Sequence, residues 1–322
     1  MIGRPRTVFF GSGSFALPIL EALLAAPEID LVGVVSTPDR PAGRGSVSTP
    51  TPVARRAKEL GLALLQPGRL RDPAAEVAIA ALRPELGILA DYGRIVPPAI
   101  LQLPGLGILN VHPSLLPRWR GAAPIPAAIA AGDDETGVTL IRMDAGLDTG
   151  PIVAVDRLPL AGTETAPDLE ERAAAAAASL LRRALGDWIA GAIQPLAQDD
   201  AAATLTRPLR RIDGALDPGR PAVELERHVR AFQPWPGSFL ETAAGRVIVW
   251  SAQLGESAAG DRAGDLVADA DAGLALVTAD GRLRLIDVQP AGGRRMTSAD
   301  LLRGRPGVLG PVAGGAWENR AT

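Results

Sequence analysis

From residue 7 to about 193 the chain alternates short apolar runs with helix-forming runs, and this alternation restricts the fold more than any other feature. Strand candidates are Val8–Phe10, Leu31–Val35, Ala63–Leu65, Leu86–Leu89, Gly107–Val111 and Val138–Met143. Each is short, apolar and bounded by Gly, Pro or Asp, as strands buried on both faces of a parallel sheet tend to be. Between them lie helical candidates Phe15–Ala26, Val53–Leu60, Pro73–Leu82, Pro97–Leu101 and Pro124–Ala130. Several carry proline near the first turn, where its missing N–H costs little. A long helix over Asp168–Ile193, with the alanine run Ala173–Ala178, closes the series. The pattern predicts an α/β fold with a doubly wound, mostly parallel Rossmann-like sheet and ligands at the carboxyl ends of its strands.

After residue 193 the texture changes. Residues 194–222 are rich in Pro, Asp, Gly and Arg with little periodicity and read as a connector. A short helix around Ala222–Ala231 precedes strand candidates Ser238–Glu241, Val247–Ser251, Ala275–Thr278 and Leu283–Val288, a spacing that suggests a small β-barrel or sandwich. At 322 residues, two domains are expected. The boundaries are placed at 1–193 for the α/β domain, 194–210 for the linker and 211–322 for the C-terminal domain.

Composition narrows the chemistry. Cysteine is absent, which removes disulfides, thiol catalysis and thiolate metal sites. The only histidines are His112 and His228, so a multi-histidine metal centre within one chain is nearly excluded, and no metal is expected. Lys58 is the single lysine, the one residue on which a Schiff base could rest. A net charge of −3 leaves no bulk electrostatic footprint for nucleic acid, so RNA contact would depend on local patches. Arg4 and Arg6 ahead of the apolar run Val8–Ala26 imitate a secretion signal, but Gly11-Ser12-Gly13-Ser14 and Glu21 interrupt it. With no later stretch of eighteen uncharged apolar residues, a cytoplasmic protein without a membrane span is expected.

Three motifs carry possible chemistry. Gly11-Ser12-Gly13-Ser14-Phe15 sits at the first strand–helix turn, but Ala16 stands where a dinucleotide fingerprint needs its third glycine, so a generic tight turn is an equal reading. Asn110 and His112, two apart at a strand end, share one face of the sheet. An amide donor beside an imidazole can stabilise an oxyanion and shuttle a proton; the bland alternative is a histidine that merely bonds a loop. The chain placing one of its two asparagines beside one of its two histidines favours the functional reading. Asp144-Ala-Gly-Leu-Asp148-Thr-Gly150 follows the strand Val138–Met143, and if the two strands are neighbours Asp148 can orient His112.

The two motifs together, Asn110-x-His112-x-Ser-Leu-Leu-Pro117 and Asp144-x-Gly-x-Asp148-Thr-Gly150, resemble the signature of the 10-formyltetrahydrofolate-dependent formyltransferases. Three further segments narrow the resemblance to the methionyl-tRNA formyltransferase family: Pro38-Asp-Arg40-Pro-Ala-Gly-Arg44-Gly, Arg230-Ala-Phe-Gln-Pro-Trp-Pro-Gly237 and Gln289-Pro-Ala-Gly-Gly-Arg-Arg-Met296. The resemblance spans roughly residues 7–310. It departs at Gly11-Ser12-Gly13, where the family usually has Gly-Thr-Pro, at Arg207 for a common lysine, and at Gly214 for a common aromatic.

The resemblance implies an OB-like tRNA-binding C-terminal domain. It also implies formyl transfer from 10-formyltetrahydrofolate to the α-amino group of initiator methionyl-tRNA through a tetrahedral intermediate. Asn110, His112 and Asp148 would be catalytic. Ser114, Leu115, Leu116, Pro117, Asp91, Tyr92 and Gly93 would line the folate. Arg40, Arg44, Arg207, Arg210 and Arg211 would meet the tRNA, with Arg55, Arg56, Lys58, Arg294 and Arg295 as further candidates. A monomer is expected. Competing readings are a formyltransferase for a small amine, a formyltetrahydrofolate hydrolase, a tRNA-binding protein on an inactive scaffold, and an NAD enzyme.

Overall fold

The structure is a computed structural model, and it describes residues 3–42 and 47–312. Two compact units cluster separately. The first comprises residues up to 124, then 135–159 and 170–207; the second comprises residues 125–134, 160–169 and those from 208 onward.

The first unit holds a seven-stranded sheet. Its strands are β1 (Arg6–Gly11), β2 (Asp30–Val35), β3 (Leu64–Leu65), β4 (Leu86–Ala90), β5 (Ile108–His112), β6 (Glu135–Arg142) and β7 (Ile152–Pro159). Their order is β7-β6-β5-β4-β1-β2-β3. The pairs among β1 to β5 are parallel, whereas β6 runs antiparallel to β5 and β7 antiparallel to β6. Sequence reading locates the first six strands and misses β7. Its residues alternate between half-buried and exposed at the sheet edge and lack the continuous apolar run of a central strand. A short hairpin, Arg40–Ala42 with Val47–Thr49, is also new, as is a parallel two-residue pairing of Arg120–Gly121 with Leu205–Thr206.

Helices α1 (Ala16–Leu24), α2 (Pro52–Glu59), α3 (Pro73–Ala81), α4 (Pro98–Leu101), α5 (Pro124–Ala131) and α6 (Ala166–Ile189) fall where expected, α6 ending four residues early. The Thr51 hydroxyl caps α2 by accepting from Ala54 N at 3.1 Å. The chain winds from β1 outward to β3, then returns to the other side of β1 with β4. In open α/β sheets such a reversal, here at the carboxyl ends of β1 and β4, is the usual position of the ligand crevice. Behind it, Val8, Phe10, Val35, Ile79, Leu89, Tyr92, Ile100 and Ile108 form a buried cluster.

The second unit begins its main run with α7 (Ala222–Ala231), the helix expected there. Strands β8 (Ser238–Thr242), β9 (Gly245–Gly255), β10 (Asp265–Asp269), β11 (Gly273–Val277), β12 (Arg282–Pro290), β13 (Met296–Thr297) and β14 (Gly310–Pro311) pair antiparallel in a curled half-barrel. Helix α8 (Ser298–Gly304) packs with β11 and β12. Leu225 and Val229 of α7 join Val247, Val249, Leu274, Leu276, Leu283, Leu285 and Val288 in its core. His228 is structural: Nδ1 lies 2.9 Å from Ser238 Oγ, Nε2 2.9 Å from the Asp213 carbonyl, and Phe232 packs against the ring. Trp235 is half exposed.

Tyr92 is buried edge-to-face against Phe10, and its hydroxyl has no hydrogen-bond partner. Burial pushes the phenol up to about 12. An unsatisfied buried donor costs about 1–3 kcal/mol. The variant Tyr92→Phe is therefore expected to be as stable as the parent or more so, by up to about 1–3 kcal/mol, read from denaturant unfolding.

Candidate active site

Strand β5 reads Ile-Leu-Asn-Val-His, with every residue buried between β4 and β6. Alternation sends Leu109 and Val111 to one face and Asn110 and His112 to the other. Asn110 is in register with Leu89 of β4 and Ile141 of β6, so the strand that leads to the Asp144–Gly150 loop is a direct neighbour. Within that loop, Asp144 Oδ1 accepts from Gly146 N at 3.0 Å and Thr149 Oγ1 at 2.7 Å. Gly150 lies so near the Arg142 carbonyl that an added Cβ would fall 1.9 Å from it.

Asn110, His112 and Asp148 meet. Asn110 Nδ2 donates to Asp148 Oδ1 at 3.0 Å, and Gly121 N donates to Asp148 Oδ2 at 2.8 Å. His112 Nδ1 stands 3.7 Å from Asp148 Oδ2, an ion-pair separation when the ring is protonated. Its Nε2 is 3.0 Å from the Trp119 carbonyl. A carbonyl can only accept, so Nε2 carries a proton there. Asn110 and His112 are buried, and the Asp148 side chain is 13% exposed.

Strain gathers at the same place. Among the described residues, four non-glycine residues have left-handed φ: Arg83 and, around the site, Asp91 (φ 44°), Trp119 (φ 61°) and Asp148 (φ 54°). Such conformations cost about 1–3 kcal/mol each and persist only where neighbours over-determine them. Trp119 is held by its N–H, which donates to Thr204 Oγ1 at 2.8 Å, and Arg118 lies over its ring.

The residues expected along the folate divide by orientation. Ser114 is buried and donates its hydroxyl to the Arg118 carbonyl at 2.6 Å. Leu116 is buried, and its N–H donates to Thr139 Oγ1 at 3.1 Å. Tyr92 points into the core, so only its backbone faces outward among these polar groups; its carbonyl accepts from Ser12 Oγ at 3.2 Å. Leu115 and Pro117 are half-buried, and Gly93 (φ 74°) has open space where a side chain would stand.

Asp91 ties the turn after β4 to the turn after β1. Its carbonyl accepts from Ser12 N at 3.1 Å and Gly13 N at 3.3 Å. Its carboxylate lies where a side chain on residue 13 would be, with Oδ2 1.7 Å from an ideal Cβ. Glycine at position 13 thus makes room for this acid. Asp91 as a residue is exposed, yet its carboxyl, crowded against the backbone of Gly13, is pushed up to about 7 by loss of surrounding water and by the like charge of Glu170, which Ser14 Oγ bonds.

Among the basic residues expected to meet tRNA, Arg44 and the Arg40 side chain lie outside the described residues. Arg207, Arg210 and Arg211 are exposed. Arg56 is paired with Glu21 at 2.6 Å, Lys58 with Asp39 at 3.3 Å and Arg295 with Asp287 at 2.9 Å. Sequence reading places Trp119 and Gly121 in the motif around Asn110 and His112 without assigning their backbone roles, and it misses Thr204 as part of the site. They bear on it through backbone groups or from far along the chain, and no residue type signals such a role.

Comparison with known proteins agrees with this architecture. The formyl transferase family model matches residues 5–185, and the model for the formyl transferase C-terminal domain matches residues 208–306. Fold and site therefore define a formyl transferase. A methionyl-tRNA formyltransferase of Halorhodospira halophila is 46% identical over 95% of this chain and 98% of its own length. One from Roseiflexus sp. is 45% identical over 93% and 92%. The chain belongs to the methionyl-tRNA formyltransferase family. Among solved structures, an N-formyltransferase of Helicobacter canadensis in complex with folinic acid and dTDP-3-aminofucose shares the fold, with TM-score 0.64 and 17% identity over 87% of this chain and 97% of that one. HypX of Aquifex aeolicus in complex with tetrahydrofolic acid aligns with TM-score 0.60 at 17% identity over 93% of this chain, which spans 47% of HypX.

Because the folded-state pKa of Asp91 is raised, the native protein binds more protons than the unfolded chain between about pH 4 and 7. Its contribution to stability accordingly falls as the pH rises through that window and levels off above it. The Asp91→Asn variant is expected to lack this decline, so its gain in stability over the parent grows from pH 4 to pH 8. Thermal melts across that range check it.

Proposed function

We propose that this chain transfers the formyl group of 10-formyltetrahydrofolate to the α-amino group of methionyl-initiator-tRNA, giving N-formylmethionyl-tRNA. The observation that carries the reading is the convergence of Asn110, His112 and Asp148 at the carboxyl end of β5. It occurs in a chain whose near-full-length relatives are named for this activity.

Amine attack on the formyl carbon forms a C–N bond and places negative charge on the formyl oxygen; the bond from that carbon to the folate nitrogen then breaks. The Asn110 amide has a second hydrogen beyond the one given to Asp148 and offers it to the oxyanion; His112, whose Nε2–H is held by the Trp119 carbonyl, adds a donor through Nδ1 when the ring is protonated. Asp148, fixed by Asn110 and Gly121, holds His112 and a water that carries the proton from the amine to the leaving nitrogen. No step calls for a metal.

The crevice suits a flat pteridine. Leu115 and Pro117 offer apolar surface, the Asp91–Gly93 backbone offers a hydrogen-bonding edge, and open space at Gly93 permits close approach. Ser114, Leu116 and Tyr92 shape this wall from behind. The tRNA meets exposed arginines, Arg207, Arg210 and Arg211 among them, with Arg40 and Arg44 as partners from the hairpin region; these contacts are chiefly to phosphate. The reading includes a cytoplasmic, monomeric enzyme, divided into a catalytic domain over 1–193, a linker over 194–210 and a tRNA-binding domain over 211–322. No helix among the described residues is long and apolar enough to cross a membrane.

Formyl transfer measured on charged initiator tRNA, beside charged elongator methionyl-tRNA, tests the reading. Transfer to the initiator alone is expected, with Asn110→Ala and His112→Ala each slower by about 100-fold or more. Folate turnover without transfer to tRNA would instead indicate a hydrolase or a small-amine acceptor.

A further inference from the structure

Gln198 lies beyond α6, in the segment whose composition reads as a connector, yet its side chain reaches the loop that carries Asp148. Its Nε2 donates to two backbone carbonyls, those of Asp148 and Gly150, each at 2.7 Å. Its Oε1 accepts from Arg120 Nε at 3.0 Å and Arg120 Nη2 at 2.8 Å. Both amide hydrogens and both oxygen lone pairs are thus used. The partners leave one orientation of the amide: the carbonyls need donors and the guanidinium needs an acceptor. Arg120 is buried, and Asp200 Oδ1 at 2.7 Å takes up another of its hydrogens. Its chain neighbour Gly121 supplies the N–H that fixes the Asp148 carboxylate.

One carboxamide therefore ties the Asp148 backbone to the strand whose amide holds the Asp148 side chain. This matters because Asp148 is left-handed at φ 54°, a conformation an aspartate leaves unless it is held. We propose that Gln198 is a positioning residue for formyl transfer, with Arg120 as its anchor, acting through Asp148 and without touching substrate. The inference rests on the catalytic role given to Asp148 above. Glutamate at 198 keeps the shape and the acceptor for Arg120 but sets a carboxylate oxygen against two carbonyls. Methionine keeps the shape and loses every hydrogen bond. Asparagine is one methylene shorter and cannot span the same distance.

The test compares Q198E, Q198M, D148N and D148N/Q198E in steady-state and single-turnover transfer to charged initiator tRNA. Active sites are counted by tetrahydrofolate titration, and folding is monitored by thermal melts. Expected is a loss in kcat of about 10- to 100-fold for Q198E and Q198M. KM for both substrates should stay within about twofold, and the double variant should be no slower than D148N alone. A parental kcat in Q198E or Q198M overturns the proposal. So does a rise in KM with kcat intact, or a double variant whose loss is the product of the two single losses. If Q198E fails to fold, Q198M decides. A parental rate in D148N would remove the catalytic reading of Asp148 itself, an outcome distinct from a normal Q198E beside a crippled D148N.

Discussion

Two backbone amides, those of Ser12 and Gly13, converge on the carbonyl oxygen of Asp91, and the working face of the first unit is organised around that contact. It joins the turn after β1 to the turn after β4, the two strands between which the sheet reverses its direction of growth. Strands on either side of such a reversal send their following helices to opposite faces, and here the contact keeps the two turns together. β5 lies next to β4, which puts Asn110 and His112 within the same rim. The antiparallel β6 runs back past Asn110, and the loop that follows it returns Asp148 to Asn110 and His112.

Rigidity at this rim is supplied by hydrogen bonds between unlike parts of the chain. Thr139 of β6 receives the Leu116 amide and donates to the Ser114 carbonyl at 2.7 Å, pinning the loop after β5. Thr204 performs a similar service for Trp119, whose carbonyl fixes a proton on His112. The left-handed residues are held within this network. Stabilisation elsewhere in the fold offsets local strain, and functional groups gain fixed positions in exchange.

How much of this was legible in the sequence depended on whether the signal was local. Buried parallel strands announce themselves as apolar runs, and β1, β2 and β4 to β6 were found to within about three residues. The edge strand β7 was not, because half-exposed alternation with Asp156 and Arg157 resembles a loop. Asn110, His112 and Asp148 stood out since they are rare or clustered and follow strands. The inward turn of Ser114, Leu116 and Tyr92 did not, because a motif names residues without saying which face they present. The raised pKa of Asp91 was equally hidden: it arises from burial of the carboxyl and from Glu170, distant along the chain but adjacent in space. Gln198 was invisible for the same reason, lying among residues whose composition suggested only a tether.

That tether is in fact woven into the first unit. Leu196 exchanges backbone hydrogen bonds with Ile152, the Arg120 amide donates to the Thr204 carbonyl, and Leu205–Thr206 runs parallel to Arg120–Gly121. The hydrogen bonds that brace Asp148 and the strand Arg120–Gly121 therefore come from residues as far along as 206, well past the end of α6. In shuffling such enzymes, a crossover placed in the stretch just after the long helix would graft a foreign segment into the site, while looking in the sequence like a harmless exchange of linkers.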